Sequence, residues 1–147
     1  MGWRLVEMVK FICGTKGSGK TKYLIDMANE DIKKGNGNIA FIDVDDNHIF
    51  SLDYSVRLIN AMEFNIDNVE TFYGFLCGII GMDYDVEKVY VDGIYNIIDL
   101  KPEDLNKLSE RLNQISEKFS TEFYIGVDFT IDELPTSLKN SADEIKM

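Results

Sequence analysis

The stretch FICGTKGSGKTKYLIDM, Phe11 to Met27, sets three glycines within six residues between an apolar run and a helix-like pattern. The residues before it, VKFIC (Val9–Cys13), read as a short buried strand. After it, Tyr23, Leu24, Met27 and Ala28 fall on one face at helical spacing, and Gly35 is a natural stop. Glycine takes backbone angles that a β-carbon forbids, so a run of this kind can turn successive N–H groups toward one point. A helix that starts there adds its unpaired N–H groups and the positive end of its dipole. Gly14-Thr15-Lys16-Gly17-Ser18-Gly19-Lys20-Thr21 fits G-x-x-x-x-G-K-[ST], a phosphate-binding loop. In that pattern Lys20 neutralises phosphate charge and the Thr21 hydroxyl is a ligand for Mg²⁺. Lys16, inside the loop, either reaches phosphate or points to solvent.

Working outward, NIAFIDVDD is a second apolar strand that ends in carboxylates, and Arg57–Asn60 offers a short third. An apolar helix spans about Asn68 to Ile80 and contains Gly74 and Gly78, small residues suited to close packing in a buried helix. VEKVYVDG gives a fourth strand over about Lys88–Asp92, and TEFYIGVDF a fifth, at 122–128. Between them KPEDLNKLSERLNQISEKFS is the clearest helix. Pro102 sits in its first turn, and Leu105, Leu108, Leu112, Ile115 and Phe119 line one face. Strands alternating with helices mean an α/β fold, three layers around about five mainly parallel strands. Residues 1–7 read as an N-terminal extension, 8–139 as one domain, and 140–147 as a polar C-terminal tail that frays.

A chain of 147 residues with 45% hydrophobic and 28% charged residues has the composition of one ordinary globular domain. Its net charge of −11 argues against a nucleic-acid surface, which needs clustered Lys and Arg. No apolar run reaches the roughly 18 residues of a membrane span, and the N-terminus lacks the pattern of a secretory signal. The expected location is cytoplasmic, with Cys13 and Cys77 as buried, reduced thiols. His48 is the only histidine, which excludes a metal cage built from several histidines within one chain. Phe50 and Tyr54 lie where an aromatic could stack on a base, although core or rim positions explain them as well.

A phosphate loop calls for an Asp at the end of another apolar strand, holding magnesium through water. Asp92, in VYVDG, supplies it. In FIDVDD the carboxylates Asp43, Asp45 and Asp46 form an acidic run that, on its own, reads as a solvated turn. The order of loop, helix, AFIDVDD, short strand, helix and VYVDG, from about Val9 to Phe129, resembles the RecA-like P-loop ATPase core. That resemblance implies that the 122–128 strand separates the P-loop strand from the VYVD strand. It further implies that the AFID strand flanks VYVD on its other side and that Arg57–Asn60 lies outermost. It makes Asp45, with Asp43 next best, the candidate for the carboxylate that polarises the attacking water, as an alternative to the solvated acidic turn. The whole chain also looks like small P-loop proteins of Gram-positive bacteria labelled twitching-motility ATPases, through GTKGSGKTK, FIDVD, FYGFLCGI, YDVEKVYVDG and DELPTSLK.

The departures from the family bear on activity. The family's water-polarising residue is normally Glu, and Gly93 rather than Glu follows Asp92. Arg4, Arg57 and Arg111 are the only arginines, and none is placed as a finger in cis. The resemblance therefore implies a protein that binds ATP and Mg²⁺ with at most weak hydrolysis, coupling nucleotide state to a protein partner or to self-assembly. A full ATPase completed by an Arg or Lys in trans is the alternative, and a small-molecule kinase a third. The GTP-selective Asn-Lys-x-Asp pattern is missing, because NKLSE lacks the Asp, so ATP is the default.

Overall fold

The computed structural model describes residues 8–35, 37–45, 48, 50–82 and 85–145. The 1–7 extension, Arg4 within it, and Asp46 of the acidic run lie outside these. Six strands form one parallel sheet: β1 (Val9–Cys13), β2 (Asn38–Asp43), β3 (Arg57–Asn60), β4 (Val86–Val91), β5 (Glu122–Val127) and β6 (Ala142–Glu144). Their order across the sheet is β3-β2-β4-β5-β1-β6. The placements expected of the first five strands are all found: β5 lies between β1 and β4, β2 on the far side of β4, and β3 outside β2. Among the described residues three α-helices, α1 (Lys20–Lys33), α2 (Val69–Met82) and α3 (Pro102–Phe119), accompany the sheet, with four short 3-10 helices in the connections.

The strands are apolar on both faces because both faces are covered. Phe11, Ala40, Ile42, Val89, Val91, Phe123 and Ile125 point into a core shared with Phe72, Leu76 and Ile80 of α2 and Leu105, Leu108 and Leu112 of α3. The alternate residues Ile12, Ile39, Phe41, Tyr90 and Tyr124 meet Leu24, Ile25 and Ala28 of α1, with Leu52 and Val56 from the β2–β3 connection. This second face is held by an aromatic row, Tyr90 stacked on Tyr124 at 4.9 Å and on Phe41 at 6.3 Å between ring centroids. Asp31, buried on α1, accepts a hydrogen bond from the Tyr90 hydroxyl and pairs with Lys88 at 3.0 Å, tying the helix to β4.

Local signals set the helix ends. Glycines with positive φ bracket α1, Gly19 (φ 94°) before it and Gly35 (φ 72°) after it. Pro102 opens α3, and the Asp104 carboxylate accepts from the Lys101 N–H at 2.9 Å.

Four expectations need correcting. The tail from residue 140 on contributes β6, which pairs with β1 through Phe11–Ala142, Ile12–Asp143 and Cys13–Glu144. Its chemistry is polar because it is a three-residue edge strand, half-exposed, with no apolar run to announce it. Gly74 and Gly78 are not packing contacts, since a β-carbon on either would meet open space. Cys77 is only partly buried, whereas Cys13 is buried and its thiol is pushed up to about 12, chiefly by that burial. Phe50 and Tyr54 are almost fully exposed rather than core. Among the described residues no helix is long and apolar enough to cross a membrane.

The Asp31 anchor has a measurable weight. Asp31→Ala strands the Tyr90 hydroxyl and the Lys88 ammonium beneath α1, and is expected to lower stability by about 1–3 kcal/mol. A urea denaturation series would read this as a lower midpoint at unchanged slope; an unmoved midpoint would remove the anchor from the account.

Candidate functional site

Four neighbouring strands bring their carboxyl ends to one edge, where ligands of open α/β sheets bind. The glycine-rich loop leaves β1, Asp43 ends β2, Asp92 follows β4 and Asp128 follows β5. Together they line a cleft of about 720 Å³, a volume typical of small-molecule sites.

The loop's shape follows from its glycines. Gly17 (φ 84°) and Gly19 (φ 94°) adopt left-handed conformations, and α1 begins directly after the second. Gly14 must lack a side chain for another reason: a β-carbon there would stand 2.3 Å from the Ser18 hydroxyl oxygen. The Gly14 N–H donates to Phe129 O at 2.9 Å, and the Ser18 N–H to Thr15 O at 3.1 Å, so the loop is tied to the segment after β5. Ser18 is buried and its hydroxyl has no partner. Thr15 and Lys16 are exposed on the loop, and Lys16 reaches the cleft wall.

Lys20 turns inward. Its ammonium, only 8% exposed as a residue, donates to Gly14 O at 2.7 Å and Thr15 O at 3.2 Å, and pairs with Asp128 at 3.1 Å. Thr21, the next residue, donates its hydroxyl proton to Asp92 Oδ2 at 2.8 Å, joining positions 71 apart in sequence. Asp92 is itself buried, and its N–H donates to Ile42 O at 2.9 Å across the β2–β4 pair. Burial raises the Asp92 carboxyl above its ordinary range; Asp43 nearby adds to this and the Thr21 hydroxyl opposes it.

Asp43 and Asp45 occupy different surroundings. Asp43, 2% exposed, accepts from the Val44 N–H at 2.7 Å through one oxygen and meets His48 Nδ1 at 2.9 Å through the other. Asp45 is half-exposed at the cleft wall, 3.9 Å from the same imidazole nitrogen. Of the two, Asp45 is the more exposed.

Of the site residues expected from sequence, Lys16, Gly17, Gly19, Lys20, Thr21, Asp43, Asp45 and Asp92 line this cleft, whereas Gly14, Thr15 and Ser18 line an adjoining hollow with Thr130, Glu144 and Ile145. Two further ones were not anticipated. Asp128 carried a readable signal, since IGVD repeats the pattern of FID and VYVD, an apolar strand closing on Asp. His48 carried none, because one histidine in a connection says nothing about what it meets. The described arginines stay away from the cleft lining. Arg57 is on edge strand β3, and Arg111 of α3 pairs with Glu70 and lies over Tyr73.

The Asp43 contact has a pH signature. It raises the His48 pKa above its ordinary value of 6.5, more than partial burial lowers it. The folded value is the higher one, so the stabilisation from this pair is complete below the unfolded pKa. It is lost as pH rises through the folded value. In metal-stripped protein the single histidine's ring proton should titrate above the ordinary value by NMR, and fall back in Asp43→Asn; an unshifted wild-type curve would contradict the contact. Compared with protein-family models and with curated proteins, the chain matches none.

Proposed function

We propose that the cleft binds a nucleoside triphosphate, ATP by default, with Mg²⁺ on the RecA-like P-loop plan, and that intrinsic hydrolysis is at most weak. The observation that carries this reading is the 2.8 Å bond between the Thr21 hydroxyl and Asp92. A hydroxyl after the loop lysine and a carboxylate at a separate strand end meet where hard oxygen donors suit magnesium. The left-handed Gly17 and Gly19, both at the cleft, add support, because they carry the loop directly into the N-terminus of α1, where unpaired N–H groups favour an anion.

Within this reading the loop amides and Lys20 hold the phosphates. Thr21 and Asp92 would hold magnesium, which when bound neutralises phosphate charge and orients the terminal group. Lys20 has to exchange partners: its ammonium leaves Asp128 and the two loop carbonyls for phosphate oxygen. Asp128 is then released at the cleft wall, so occupancy of the loop is communicated to the end of β5. Asp45, half-exposed at the cleft wall, is the carboxylate to which this reading assigns the orientation of water, with the buried Asp43 next.

Weak hydrolysis follows from what the cleft lining lacks. No described arginine belongs to it, and arginine fingers contribute about 10³–10⁵ in rate. This favours a protein whose nucleotide state is read by a partner or by another copy, either of which could complete catalysis in trans.

Calorimetric titration with Mg-ATP is expected to give saturable binding to the wild type and at least about tenfold weaker binding to Lys20→Ala. Phosphate release by the protein alone should fall well below about 1 s⁻¹, the lower end of ordinary turnover, and Asp45→Asn should lower it further. Absence of binding in the wild type would overturn the proposal. Fast release indifferent to Asp45 would overturn its catalytic half.

A further inference from the structure

We propose that Asp43, Asp45 and His48 form a site for a first-row divalent transition ion, separate from the magnesium position at Thr21 and Asp92. One donor atom from each of the three lies within 4.8 Å of the others, with Nδ1 of His48 2.9 Å from Asp43 and 3.9 Å from Asp45. Ions of this class sit about 2.0–2.2 Å from nitrogen and carboxylate ligands, so one ion can touch two donors separated by up to about twice that distance. The first two spacings already satisfy this. Asp45, half-exposed at the cleft wall, can close the third by a side-chain rotation.

The chemistry of the donors narrows the ligand. Two carboxylates alone would suit magnesium or calcium; an imidazole nitrogen beside them shifts preference to Mn²⁺, Fe²⁺, Co²⁺ or Zn²⁺. The buried member supplies an independent reason for a cation. Asp43 is 98% buried by its 2% exposure, and among the described residues it has no Lys or Arg partner. Buried carboxylates are normally paired with a cation or ligate a metal. The lysines that line the same cleft offer little: Lys20 is paired with Asp128, Lys22 with Asp26 at 2.7 Å, and Lys16 is exposed on the loop. Among the described residues His48 is the one side chain that pairs with Asp43, and its Nδ1 is the atom an ion would take.

The consequence for hydrolysis rests on the nucleotide reading: an ion here engages Asp45, the carboxylate to which that reading assigns the orientation of water. Binding of the ion does not rest on that reading, and its test uses no nucleotide. Metal-stripped protein is titrated with Mn²⁺, and the free ion is followed by its paramagnetic resonance signal. One saturable ion per chain is expected, weakened about tenfold or more by His48→Ala and by Asp43→Asn, and unchanged in Thr21→Ala. With Zn²⁺ in place of Mn²⁺, the ¹⁵N signals of the single imidazole should report metal at Nδ1. No saturable binding, binding indifferent to His48 and Asp43, loss in Thr21→Ala, or an imidazole unmoved by Zn²⁺ would each overturn the proposal. If the ion binds here while Mg-ATP does not, the nucleotide reading alone fails.

Discussion

A buried ammonium group organises this edge of the protein. Lys20 opens α1, yet its side chain reaches back to the carbonyls that leave β1 and across to the carboxylate that follows β5. Thr21, one residue later, reaches β4 through Asp92. Two adjacent side chains thus fix a helix N-terminus against three strand ends. An ammonium kept from water is stable only while oxygen atoms surround it. The loop must therefore fold so that its carbonyls face inward, and the left-handed Gly17 and Gly19 permit that path.

The layers behind this edge explain why it is held in place. Strands buried on both faces cannot slide without exposing one apolar set or the other, so the register of the four strand ends is strongly specified. The face under α1 has a single covering helix where the other has two. It is secured by the aromatic row and by Asp31, which joins the far half of α1 to β4. The near half of α1 is joined to β4 by Thr21. The helix is thus tied near both ends to β4 and the residue that follows it.

The parts of this arrangement legible in the sequence were those written locally. The strand–loop–helix around Gly14 to Thr21 is contiguous, and Val9–Cys13 is apolar because both its faces are buried. Asp92 could be named because its partner's motif calls for it. The face of α3 was legible from Leu105, Leu108 and Leu112 at helical spacing. What stayed hidden depends on tertiary approach. β6 is three half-exposed residues that exist as a strand only because β1 offers an edge. His48 acquires meaning from Asp43, whose burial is a property of the sheet. Phe50 and Tyr54, apolar in type, remain in water, as a few large side chains do in any folded protein.

Lys20 is already satisfied by protein oxygens. Under the proposed function a triphosphate would have to outcompete Gly14, Thr15 and Asp128 for the same ammonium. The most direct measurement is a crystal structure with Mg²⁺ and a non-hydrolysable ATP analogue. The account predicts the analogue's phosphates within the Gly14–Thr21 loop, Lys20 Nζ on phosphate oxygen, and the 3.1 Å pair with Asp128 broken. An analogue bound elsewhere, with Lys20 still on Gly14 and Asp128, would contradict it.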